Sequence, residues 1–415
     1  MPQFNYYMFK KNELKLLSPF YAQSLIFNLS KVIMPFYVLY FLSIGFSFFQ
    51  IALISGIRSV VSLVFEIPTG VIADKYGRKL SVILGYFLTA VSLALVPIWD
   101  KFYIVAIIFA FNAFFETLIS GADRAWPVDL IENTDKSLLD KYFLKTRIFR
   151  NVGMIVAPLI AGGIVAVSSM KNLWFVFAAG IIFSTLILFW GKELRQRRDR
   201  PKTSPKEQFG ELIRDSKEAI KYALKNSIII LLFLGIFVFY FIDEITSLIW
   251  TPYLQKSGLN LPVIGYLFSI IAALGIILPA ITQFLLKKRS KLFILFFAAL
   301  GYSVLLFAAG KTNFALFIAI LFVLFSSIDE IFLPLEESLT NEFIGSKHRA
   351  AVLSMKSMTE SLASIIGAPV AGLLLGLITE KQAFMLSGFL ILILPIIYFL
   401  VRRKKNSLKM EKGQE

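Results

Sequence analysis

Gly70-Val-Ile-Ala-Asp74-Lys75-Tyr-Gly77-Arg78-Lys79 is a short polar turn set between two long apolar stretches, near 47–72 and 80–98. Each residue type has a physical use there. Gly70 is small enough to let another helix approach closely. Asp74 accepts hydrogen bonds or pairs with a nearby cation, and Gly77 permits a tight turn. Arg78 and Lys79 are charges that hold the turn in water. Each flanking stretch has about the length, roughly 20 residues, that a helix needs to cross the hydrocarbon core.

Outward from this turn, apolar runs of that length recur along the chain, near 17–41, 47–72, 80–98, 103–127, 146–168 and 172–190, then near 226–252, 259–285, 292–309, 312–338, 351–377 and 382–401. In lipid every backbone amide must be satisfied within its own segment, so helices are expected. The runs are too long for barrel strands, and no sustained alternation is present. Of 415 residues, 57% are hydrophobic and 17% charged, with mean hydropathy +0.73. A soluble domain carries about a quarter charged residues. The expected fold is therefore an all-α membrane protein of about twelve transmembrane helices in two pseudo-symmetric six-helix bundles.

The net charge of +16 could suggest nucleic acid, but the charges lie between the apolar runs, so no nucleic-acid partner is expected. Most of the 43 Lys and Arg residues fall at the termini and in every second loop. The opposite loops carry only Lys101, Lys171, Lys256, Lys311 and Lys381. By the positive-inside rule both termini are expected on the cytoplasmic side of a cell membrane. No cleavable signal peptide is apparent. There are no cysteines and one histidine, His348, which excludes disulfides, thiolate sites and a histidine-rich metal centre. No metal or cofactor is expected.

The domain reading is an N-terminal bundle over 1–190, a basic cytoplasmic linker over 191–225, and a C-terminal bundle with a basic tail over 226–415. Phe209 to Leu224 is a candidate surface helix within the linker. An internal repeat supports the division. Asp123 with Pro127 is echoed by Asp329 with Pro334, and Ala157-Pro158 with Gly162 by Ala368-Pro369 with Gly372.

The turn at Gly70–Lys79 resembles the loop 2–3 signature of the major facilitator superfamily, Gly-x-x-x-Asp-Arg/Lys-x-Gly-Arg/Lys-Arg/Lys, in sequence, position and expected sidedness. The resemblance covers essentially the whole chain, and Glu66-Ile-Pro68-Thr-Gly70 is similar to bacterial exporter-type members. It implies a latch role, when the cytoplasmic side is closed, for Gly70, Asp74, Gly77 and Arg78. The matching second-half loop, Lys287-Lys288-Arg289-Ser-Lys291, keeps the charge but lacks the Asp and Gly pattern. Gly153-Met-Ile-Val-Ala157-Pro158-Leu-Ile-Ala161-Gly162-Gly163 is similar to the family's antiporter signature, with alanines at two glycine positions. It implies export. Gly153, Pro158 and Gly162 are the expected helix-packing residues, with Pro158 bending its helix.

Ionisable residues inside spans are costly and generally mark functional sites. Lys31, Arg58 and Glu116 fall near the bilayer midplane in one half. Asn112, Glu116, Ser120 and Asp123 share a helical face, as do Ser24, Asn28 and Lys31. Asn28, Lys31, Arg58 and Asn112 are the substrate-cavity candidates. A Lys31–Glu116 or Arg58–Glu116 pair that only holds helices together is the structural alternative. Adjacent carboxylates in a desolvated place resist full ionisation together, so Glu116, Asp243, Asp329 and Glu330 are the proton-coupling candidates. Asp123, Arg147 and Arg150 are candidates for an inner gate. Lys356 and Glu360, four apart, are placed to pair.

Gly310-Lys311-Thr312 resembles the end of a phosphate-binding loop, but Leu305 stands where its first glycine belongs. No nucleophile–base set is found, so an enzyme is not expected. The reading is a monomeric secondary transporter working by alternating access, a proton-coupled exporter of small amphipathic or hydrophobic compounds. The alternatives are an organic-anion transporter using Lys31 and Arg58, and a non-transporting sensor on a transporter fold.

Overall fold

The computed structural model describes residues 9, 11–193, 226–344 and 349–412. The candidate surface helix at 209–224 and His348 lie outside them. Among the described residues, regular structure is entirely helical, and twelve segments are long and apolar enough to cross a membrane.

The helices are α1 (Lys11–Leu29), α2 (Tyr37–Ser43), α3 (Phe48–Tyr76), α4 (Arg78–Leu95), α5 (Phe102–Ile119), α6 (Ala122–Glu132), α7 (Leu139–Val167) and α8 (Met170–Leu188). After the linker come α9 (Ser227–Lys256), α10 (Leu261–Leu286), α11 (Lys291–Lys311), α12 (Ala315–Glu342), α13 (Arg349–Leu377), α14 (Glu380–Leu390) and α15 (Ile393–Lys412). Several run past their apolar run on the polar side. α7 begins at Leu139, well before the apolar stretch, because charged residues are tolerated where a helix leaves the hydrocarbon.

Three expected spans are interrupted; in the last, Glu380–Ser407, α14 stops at Leu390 and α15 begins at Ile393. In the span Asn12–Ser43, α1 stops at Leu29 and helical structure resumes with a 3₁₀ turn at Met34–Phe36. Between α5 and α6, Gly121 adopts φ +74°, a conformation open to glycine. The expected faces are therefore cut short. Lys31 lies beyond the end of α1, and Asp123 lies on a different helix from Asn112 and Glu116.

The chain forms two compact units. The first comprises 1–45, 57–202 and 260–273, and the second 46–56, 203–259 and 274–415. In the first, α1 packs on α7 and α8, and α4 packs on α5, α6 and α8. In the second, α9 packs on α13 and α15, and α11 packs on α12, α14 and α15. The pairing of spans is the same in both, which is the spatial form of the sequence repeat.

Glycines set the closest approaches. Within the first unit a Cβ on Gly162 would fall 2.7 Å from the Tyr266 ring and 3.0 Å from the Pro262 carbonyl. Within the second, a Cβ on Gly372 would fall 2.5 Å from Phe49 Cα. The repeated Ala-Pro…Gly element thus makes a backbone-close contact in each unit, the use small residues have between membrane helices. α7 runs through Pro158 as one helix.

Candidate functional site

Three polar constellations lie inside these units. The first surrounds the interruption of the first span. Gly153 of α7 presses on Asn28 and Leu29, where its Cβ would fall 2.7 Å from Asn28 Cβ and 2.9 Å from the Leu29 nitrogen. Gly180 of α8 presses on Ser30, 2.2 Å from its Cβ by the same measure. Lys31 follows at once, half-buried, with its ammonium 4.6 Å from the Phe27 ring centroid. Asn28 is buried; its Nδ2 donates to the Ser24 carbonyl at 2.7 Å, and its Oδ1 has no partner.

Beside this break, Arg58 Nη2 donates to Glu116 Oε2 at 2.8 Å. Tyr37 lies next to the guanidinium. Arg58 and Glu116 therefore neutralise each other, whereas Lys31 forms no ion pair among the described residues. Arg150 lies within electrostatic range of Lys31. Asn112 is fully buried and donates to Ser92 Oγ at 2.9 Å between α4 and α5, so its amide is held inside the bundle. Asp123 forms no ion pair with Arg147 or Arg150, both of which are exposed.

The second constellation is the loop motif. Gly77 takes φ +104° between α3 and α4. Arg78 Nη1 reaches Asp129 Oδ2 of α6 at 2.7 Å and lies 3.9 Å from Asp74. The Lys79 backbone N–H donates to Glu193 Oε1 at 3.0 Å. Its ammonium donates to the carbonyls of Phe189 and Gly191, at 2.8 and 2.7 Å, just past the end of α8. A cation there satisfies carbonyls that a helix end leaves orphaned. These partners of Arg78 and Lys79 all belong to the first unit. Gly70 does not make the close approach expected of it, since no atom lies within 4 Å of where its Cβ would be.

The third constellation is acidic and lies in the second unit. Asp243 of α9 and Asp329 of α12 line one small cavity with Phe239, Thr246, Tyr302 and Ile391. Its volume is about 10 Å³, room for one water molecule. Tyr302 is 1% exposed and its hydroxyl has no partner. Neither carboxylate forms an ion pair among the described residues. Glu330 points elsewhere, against Gly275 of α10, and Glu244 lies against Gly367 of α13. Elsewhere in this unit, Lys356 of α13 bridges Glu336 at 3.3 Å and Glu360 at 3.0 Å. Tyr302 and the bridging place of Glu336 went unread in the sequence, because a tyrosine within an apolar run carries no local signal. A larger cavity of about 380 Å³, between Tyr40, Trp99, Asp100 and Lys171, contains none of the candidate residues.

The sequence model of the Major Facilitator Superfamily matches residues 20–328 and 294–414. The chain belongs to that superfamily. It is 25% identical over 408 residues to YxaM of Bacillus subtilis (strain 168), an uncharacterized MFS-type transporter, covering 96% of this chain and 100% of the relative. Among solved structures it is similar to the nucleoside transporter NupG, with TM-score 0.77, 14% identity, and 94% and 99% of the two chains covered. It is also similar to a peptide transporter POT, with TM-score 0.70, 14% identity and 94% of each chain covered. At such identity the structural likenesses carry the fold alone. This superfamily member is a secondary transporter embedded in a membrane by many helices, not an enzyme, and its cargo is a small molecule.

Proposed function

We propose that the protein is a proton-coupled exporter of small amphipathic or hydrophobic compounds, working by alternating access as a monomer in the cell membrane with both termini cytoplasmic. Its moving parts are two six-helix halves, 1–190 and 226–415, joined by the linker 191–225. The observation that carries coupling is the pair Asp243 and Asp329, two carboxylates on one water-sized cavity with no cation lining it among the described residues. Carboxylates so placed share and exchange protons more readily than they hold two charges. Glu330 and Glu116 are secondary candidates, Glu116 because its partner Arg58 can release it. Export rests on the likeness of Gly153–Gly163 to the antiporter signature. Asp74, Gly77 and Arg78 act as the latch, with Asp123, Arg147 and Arg150 at the inner gate.

A second reading, organic-anion transport, is favoured by one observation: among the described residues Lys31 has no acidic partner of its own while Arg58 has one.

The test is transport in proteoliposomes under an imposed pH gradient, with a panel of hydrophobic cations and organic anions, for the native protein and the Asp243→Asn/Asp329→Asn variant. Gradient-driven movement lost in the variant supports coupling at this pair. Movement indifferent to both the gradient and the variant removes the proton from the mechanism.

A further inference from the structure

We infer that the interruption of the first span is an anion-binding subsite, and that the transported compound places a carboxylate there. This rests on the reading of the chain as a carrier of small organic compounds, and names the charge those compounds bear.

The backbone supplies the first argument. Ser30–Ile33 leaves helical geometry in the middle of a membrane-length segment. Irregular backbone at membrane depth persists only where protein covers it or where it lines a water-filled cavity, and discontinuous helices recur at the binding sites of secondary transporters. Gly153 and Gly180 cover the break at Asn28, Leu29 and Ser30. Val32 and Ile33 are fully buried, and Lys31, half-buried, is the one residue of the break that keeps access to solvent.

Charge supplies the second. Lys31, Arg58 and Arg150 are the cations of this cluster and Glu116 is its acid. Glu116 is within range of Lys31 but is bonded to Arg58 at 2.8 Å. That leaves an ammonium whose one described contact is the face of Phe27, near a guanidinium that also forms no ion pair among the described residues. A half-buried ammonium without an acid of its own within a membrane span is costly, and an arriving anion removes the cost.

An orphaned acceptor supplies the third. Asn28 is 4% exposed and its Oδ1 has no partner, although its Nδ2 is fixed on the Ser24 carbonyl. It sits one turn before Lys31 and is placed to accept a hydrogen bond from a ligand hydroxyl or from a water that the ligand retains. The specificity falls to Lys31, with the gate residue Arg150 adding to its field, and not to Arg58, whose charge is already matched.

The probes are benzoate and benzylammonium, near-isosteres of opposite charge, with inorganic phosphate as competitor. Binding to the purified protein in nanodiscs is measured by calorimetry with no gradient, so failure of proton coupling would leave the result intact and the reverse also holds. Benzoate is expected to bind and benzylammonium not. Lys31→Met should weaken benzoate by about tenfold or more, the loss of one charge-assisted hydrogen bond, Arg150→Gln should weaken it less, and Lys31→Arg should retain it. Should Lys31→Met fail to fold, Arg150→Gln against Lys31→Arg reads the same charge dependence. Preferred binding of benzylammonium, benzoate binding indifferent to the cation variants, or no benzoate binding would overturn the inference. Displacement of benzoate by phosphate at equal concentration, or its loss when phosphatidylglycerol replaces phosphatidylcholine in the disc, would overturn the assignment to an organic carboxylate in favour of a free anion or a lipid headgroup.

Discussion

Lys145 Nζ lies 2.6 Å from Glu13 Oε1, and neither side chain is more than 3% exposed. Tyr21 donates to the same oxygen at 3.0 Å, and the Phe9 ring lies 4.1 Å from the ammonium. This joins the start of α1 to α7 by a charge pair removed from solvent. Breaking such a pair strands one charge. Lys145→Met is expected to destabilise the protein by about 3–5 kcal/mol, and the double variant with Glu13→Gln by clearly less. Thermal unfolding in detergent checks this; a double variant as unstable as the single one would remove the ion pair as the cause.

The two adjacent glycines of α7 should behave oppositely. A Cβ on Gly162 meets the Tyr266 ring and the Pro262 carbonyl, so Gly162→Ala is expected to cost about 1–3 kcal/mol by overpacking. Gly163 meets nothing within 4 Å. Gly163→Ala should be neutral or stabilise by up to about 1 kcal/mol through helix propensity. Equal effects at the two positions would contradict the packing described.

Gly77 combines positive φ with a close neighbour, since its Cβ would fall 3.0 Å from Glu193 Oε1. Gly77→Ala is expected to lose about 1–3 kcal/mol from backbone strain. Arg78→Ala and Asp129→Ala should each slow transport, and the double variant should be no slower than the worse single one, because both remove the same 2.7 Å contact. Initial rates in proteoliposomes measure it, and additive losses would separate the two residues.

At the acidic cavity, Tyr302→Phe removes a buried hydroxyl that has no protein partner. Stability should be unchanged or higher, since no protein hydrogen bond is broken. Gradient-driven transport should fall if the hydroxyl serves Asp243 and Asp329 through a water held in the cavity they share. A variant that is both stable and fully coupled would leave Tyr302 with a packing role.

Much of this molecule was readable residue by residue. The twelve apolar runs appear as twelve membrane-length segments, and the Ala-Pro…Gly repeat reappears as paired close contacts at Gly162 and Gly372. The loop motif was legible because a glycine, an acid and a basic pair at fixed spacing form a local pattern. Less legible were Asp129 and Glu193, which receive Arg78 and Lys79 from distant elements, and Tyr302, one aromatic among many.

Length and apolarity of a segment are local quantities, so the sequence by itself determined the membrane-spanning helical class, the superfamily and the inventory of intramembrane charges. Only the tertiary structure decided which of those charges are matched. Arg58 finds Glu116 on another helix, Asp243 and Asp329 meet on one cavity, and the first span opens at Ser30–Ile33 where Gly153 and Gly180 admit the backbone. Compensation of a charge depends on distances between helices far apart in the chain, and no local pattern encodes those distances.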